Sequence, residues 1–105
     1  MNPKPDRSDE AITILKAVTA EDPKDLDAIM ALGNIERGRK KFADCVGTYS
    51  KGIDALTGTE KNRWVYYYFR GICHERAKQW PLAEADLQAG HDVPGAALVE
   101  TLTAA

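Results

Sequence analysis

Apolar residues recur along this chain at spacings of three and four, the signature of helices with one buried face. Ala11, Ile14, Leu15 and Val18 predict a first helix over 8–21. Asp6 or Ser8 can cap it, Asp9 and Glu10 suit the positive end of its dipole, and Pro23 stops it. Leu26, Ile29, Leu32 and Gly33 mark a second helix over 25–37, which exits through a basic turn. Phe42, Cys45, Val46, Tyr49, Ile53 and Leu56 mark a third over 42–56. Thr57 and Glu60 have capping-box spacing, which places the start of the fourth helix within a residue or two of them, running on to Arg76. That helix carries Trp64, Val65, Tyr66, Tyr67, Tyr68 and Phe69, apolar on every side, so more than one neighbour should contact it. Pro81 opens a fifth helix to about Gly90, and 95–105 is a tail or a short sixth helix.

The second and third helices repeat in the fourth and fifth. With Gly33 laid on Gly71, Lys40 falls on Lys78, Phe42 on Trp80, Cys45 on Ala83, Tyr49 on Leu87 and Gly52 on Gly90. Glycine inside a helix costs about 1 kcal/mol against alanine. Its recurrence at one spacing therefore predicts close approach of helix backbones at Gly52 and Gly90. The first helix fits the same frame as a half unit. Ala11 precedes Cys45 by 34 residues and Cys45 precedes Ala83 by 38, so the connection around TGTEK holds an insertion.

These landmarks resemble the tetratricopeptide repeat, a helix–turn–helix unit of about 34 residues. Leu32 and Gly33 fall on the family's Leu-Gly pair. Cys45, Tyr49 and Gly52, and then Ala83, Leu87 and Gly90, fill its small, bulky and small positions. Ala11, Leu15, Val18 and Pro23 match the second half of a preceding unit. The departures are Arg70 in place of an apolar residue, Glu36 and His74 in place of aromatics, His91 where leucine is common, and an early Pro94. The resemblance implies an all-α fold of antiparallel helix-turn-helix repeats, stacked as a short right-handed α-solenoid. The units would be a half repeat over about 6–25, repeats over 26–59 and 64–97, and the tail over 95–105, all in one domain.

In that family the first helices of successive units line a concave groove that binds peptides or partner proteins. Transferred to this chain, the groove positions are Asp27, Met30, Asn34 and Arg37, then Val65, Tyr68, Ile72 and Glu75. Some members clamp a C-terminal carboxylate with lysines and an arginine. Met30 and Tyr68 stand at a clamp-lysine position, so a segment offering apolar side chains is the better expectation.

Composition removes several other classes. The chain has 105 residues and a net charge of −2, without the basic excess that attracts nucleic acid or anionic membranes. No apolar run approaches the roughly 18 residues of a membrane span. Cys73 and His74 are adjacent and diverge around a helix, so neither a metal nor another cofactor is expected. The basic turn of Arg37, Arg39, Lys40 and Lys41 reads as solvated loop. Glu36, Asp44 and Asp54 form no paired-carboxylate site, no nucleophile–base pair is evident, and no enzyme is expected. Cys45 and Cys73 read as two buried, reduced thiols, favouring a cytoplasmic setting.

Two expectations of function remain. One is a scaffold that binds a partner protein or peptide in the groove. The other is self-association into a homodimer through the uncovered ends of the stack, with Ile14, Leu15 and Val18 of the unpaired first helix as contact residues.

Overall fold

The computed structural model describes residues 7–91, with side chains described through Gly90. These residues form five helices: α1 (Ser8–Glu21), α2 (Leu26–Gly38), α3 (Phe42–Ala55), α4 (Trp64–Arg76) and α5 (Trp80–His91). The Asp6 cap, the departure at Pro94 and the tail over 95–105 lie outside the described residues. Each helix packs on the next in sequence, α1 on α2, α2 on α3, α3 on α4 and α4 on α5. The core lies among α2, α3 and α4, where Ile29, Cys45, Tyr49, Tyr66 and Cys73 are buried together. Leu26, Met30, Phe42, Val46, Ile53 and Phe69 pack around that group.

Helix ends follow local chemistry. Ser8 is the first helical residue of α1 rather than its cap; the N-cap is Arg7, which makes no side-chain cap bond. Asp9 pairs with Arg39 at 3.1 Å, tying the first turn of α1 to the α2–α3 connection. The chain leaves α1 after Glu21, with the Asp22 N–H bonded back to the Val18 carbonyl. The Asp25 carboxylate then caps α2 by accepting from the Ala28 N–H at 3.0 Å.

The turns of the two helix–turn–helix units repeat bond for bond. Lys41 N–H reaches the Glu36 carbonyl and Gln79 N–H the His74 carbonyl, both at 2.8 Å. Lys40 and Lys78 occupy the left-handed region, with φ of 61° and 63°, and reverse the chain in the manner of a Schellman cap. Neither turn has the glycine that commonly fills this position, so two lysines accept the same conformation at matching places.

The start of α4 differs from expectation. Thr57 and Glu60 do interact, but the Glu60 carboxylate accepts from the Thr57 and Gly58 N–H groups while the Thr57 hydroxyl donates to the same carboxylate. The hydroxyl is thus directed at a side chain and not at a backbone N–H of a first helical turn. Gly58, at φ 93°, redirects the chain there. The contact closes a loop, and α4 begins only at Trp64.

The recurring glycines have unequal roles. A Cβ on Gly33 would strike the Tyr49 ring and one on Gly71 would meet Leu87, the residue matching Tyr49 in the repeat. A Cβ on Gly52 would lie 2.6 Å from the Tyr66 ring and 3.1 Å from Ile29 Cγ2, so both neighbouring helices press on that point. At Gly90 the nearest atom, the Trp64 carbonyl oxygen, would be 3.5 Å away, an ordinary contact. The expected approach of helix backbones is thus corrected at Gly52, which is crowded by side chains, while at Gly90, buried but not tightly confined, the α4 backbone is the nearest neighbour at an ordinary contact distance.

Candidate functional site

Two contacts link α2 to α4. The Tyr66 hydroxyl donates to the Leu26 carbonyl at 3.2 Å, and the Arg37 guanidinium carbon sits 4.3 Å from the centre of the Phe69 ring. Among the groove positions in α2, Asp27 and Asn34 are exposed while Met30 and Arg37 are half-buried. In α4, Val65, Tyr68 and Ile72 are half-buried and Glu75 is exposed. Met30 packs against the core cluster.

Arg37 and Asn34 belong to one hydrogen-bonded unit. The Tyr49 hydroxyl donates to Asn34 Oδ1 at 2.7 Å, Arg37 Nη2 donates to the same oxygen at 3.2 Å, and Arg37 Nε donates to the Tyr49 oxygen at 3.3 Å. Burial pushes the Tyr49 phenol pKa up, against the opposing pull of Arg37, which keeps the phenol a donor. The aromatic surface continues from Phe69 to Tyr68, with ring centres 5.6 Å apart, and from Tyr68 to Trp64 at 6.1 Å. Phe69, Trp64 and Tyr49 were read from the sequence only as core or helix-forming residues. Which face of α4 meets α2 is set by packing between helices, and no single-helix period reveals it.

Three departures from the repeat pattern, Glu36, Arg70 and His74, make polar contacts between helices, while the His91 side chain lies outside the described residues. Glu36, 2% exposed, accepts a hydrogen bond from the Thr48 hydroxyl. Burial raises the Glu36 pKa, with the Thr48 bond opposing. The matching positions of the next unit hold His74 and Asp86, whose Nε2 and Oδ2 lie 3.3 Å apart. Arg70 joins that pair with Nε and Nη2 on the two Asp86 oxygens, at 2.9 and 2.6 Å, and sends Nη1 to the Ser50 hydroxyl of α3. His74 Nδ1 lies 2.8 Å from Gln79 Oε1. These contacts satisfy buried groups and tie α3, α4 and α5 together.

The two cysteines are not free. Cys45 and Cys73 form a disulfide between α3 and α4 across Cα atoms 6.4 Å apart. Both were correctly expected to be buried, at 0% exposure, but the expectation of reduced thiols is overturned. The register of the repeat aligns Cys45 with Ala83 and gives no hint that its neighbour in space is Cys73.

On α1, Ile14 is 57% and Val18 36% exposed, while Leu15 is half-buried. A cavity of about 440 Å³ opens elsewhere, between the ends of α1 and α3, where Lys24, Lys51 and Asp54 surround an apolar floor that includes Ile29. None of the eight groove positions lines it. No group of three or more His, Cys, Asp or Glu among the described residues is placed to hold a metal ion, and no described helix is long and apolar enough to cross a membrane. Comparison with protein-family models, curated proteins and solved structures finds no match to this chain.

Proposed function

We propose that this chain is a short tetratricopeptide-like array that binds a peptide segment of a partner protein along the face shared by α2 and α4. The reading is supported by the sequential packing of the helices and by the bond-for-bond repetition of the two turns. The observation that carries it is the half-exposed surface running from Arg37 over Phe69 to Tyr68, contributed by two helices 32 residues apart in sequence at the Arg37–Phe69 contact. Aromatic rings held by neighbouring side chains lose little freedom on binding, which suits them to anchor an incoming apolar residue. Catalysis has no part in this reading.

Selection of random peptides on the folded protein tests it. Peptides sharing an apolar anchor should be enriched, and Tyr68→Ala with Ile72→Asp should abolish their binding while the melting temperature changes little. Failure to enrich any peptide, or binding indifferent to both substitutions, contradicts the proposal.

A second reading is favoured by Ile14 and Val18, which lie one turn apart and exposed on α1. Covering a medium apolar side chain is worth about 1.5–3 kcal/mol, enough for several such residues to draw two copies together. Sedimentation over a concentration series decides this: a dimer that Ile14→Lys dissociates supports it, and a monomer throughout opposes it. Without reduced thiols, nothing in the cysteines favours a cytoplasmic setting. A disulfide between two buried cysteines fits an oxidising compartment better.

A further inference from the structure

Arg37 is held in place yet has no acidic partner among the described residues. The ion pairs among the described residues join Arg39 to Asp9, and Arg70 and His74 to Asp86; none includes Arg37. Its guanidinium lies over the Phe69 ring, with Nε given to Tyr49 and Nη2 to Asn34. Nη1 has no hydrogen-bond acceptor among the described residues. The same network orients the Asn34 amide. Arg37 can only donate, so the atom it meets must be Oδ1, which also accepts from Tyr49. The Asn34 Nδ2 group is therefore left as a donor on an exposed side chain one turn from Arg37. Two donors, one of them charged, stand beside an aromatic surface with their orientation already fixed. Such pre-organisation lowers the ordering cost of binding an acceptor with two oxygens.

Resting on the proposed peptide-binding face, the geometry points to Arg37 as a specificity-determining residue that, with Asn34, binds the carboxylate of an aspartate or glutamate side chain in the partner peptide. An apolar residue of the same peptide, close to the acid in sequence, settles on Tyr68. Phe69 links the two subsites, touching Arg37 on one side and Tyr68 on the other. A carboxylate suits the site better than a phosphate. Only Arg37 among the eight groove positions carries positive charge, while Asp27 and Glu75 on those positions are acidic and exposed, which disfavours a doubly charged anion.

The test is selection of random peptides on the unaltered protein and on Arg37→Gln, followed by affinity measurements on one selected peptide. Selection on the unaltered protein should enrich an acidic residue at a fixed distance from the apolar anchor. With Arg37→Gln the anchor should persist and the acidic preference should vanish. The selected peptide should lose about tenfold or more in affinity, as expected for a charge-assisted hydrogen bond. Replacing the peptide's Glu with Gln should cause a similar loss on the unaltered protein, an arm that holds even if Arg37→Gln folds poorly. Enrichment of an apolar anchor with no acidic preference overturns this inference and leaves the binding face standing. Tighter binding of the peptide with phosphoserine in place of its Glu overturns the carboxylate assignment. Absence of any enriched peptide overturns the binding face and this inference together.

Discussion

Thr48 of α3 donates its hydroxyl hydrogen to the buried carboxyl group of Glu36 in α2. One unit later, Asp86 and His74 occupy the same two positions. The repeat thus keeps a polar contact at one place between its paired helices while exchanging the chemistry of both partners. Buried polar pairs of this kind cost desolvation and constrain how the two helices can slide.

The Glu36 pair gives stability a definite pH dependence. Burial raises the folded-state pKa above the ordinary 4.5, so the native chain holds a proton that the unfolded chain releases more readily. The stabilisation linked to that proton is fully present below about pH 4.5 and is lost as pH rises through the folded value. Glu36→Gln mimics the protonated form. Urea unfolding should show Glu36→Gln gaining stability over the parent as pH rises from 4 to 7, with the two converging at the acid end. A constant difference across that range would contradict the assignment.

Asp86 should tolerate little change. It is 5% exposed and meets both Arg70 and His74. Asp86→Ala leaves a guanidinium in a partly buried site without its counter-charge, a loss of about 3 kcal/mol in chemical unfolding. The double change Arg70→Met with Asp86→Leu removes both charges and should recover much of that loss. A double variant no more stable than Asp86→Ala would show that the ion pair is not the source.

Gly52 and Gly90 are equivalent in sequence and differ in packing, so alanine separates them. Alanine gains up to about 1 kcal/mol in helix propensity at either position. Gly90→Ala has room and should be neutral or stabilising. Gly52→Ala drives a methyl group into Tyr66 and should lose about 1–3 kcal/mol to overpacking. Equal melting temperatures for the two variants would refute the distinction.

The Cys45–Cys73 bridge closes a separation of 28 residues across the α3–α4 interface. Protein purified without reductant and then unfolded should show no reactive thiols, and its mass should be two hydrogens below that of the all-thiol form. Replacing both cysteines with alanine should lower stability by about 2–4 kcal/mol. Two free thiols in the unfolded, unreduced chain would restore the reduced-thiol reading.

Much of this architecture could be read from residue order. The apolar period located the five helices, with the bounds of α1 recovered to the residue. The alignment of Gly33 with Gly71 predicted that Lys40 and Lys78 correspond, and their matching backbone conformations follow that register. Contacts between helices were less legible, because residue spacing within one helix does not state which face its neighbour meets. Cys73, Asp86 and Phe69 therefore gained their partners only in three dimensions. The late start of α4 was missed because the Thr57–Glu60 spacing serves a side-chain contact as well as it serves a cap.

The proposed peptide-binding face is built by α2 and α4 together. The most direct measurement is a backbone and side-chain NMR titration with a peptide selected on the folded protein. The largest shifts should fall at Met30, Asn34, Arg37, Tyr68 and Ile72 and saturate together at one affinity. Shifts centred instead on Ile14 and Val18 of α1, or on Lys24 and Lys51 around the cavity, would contradict it.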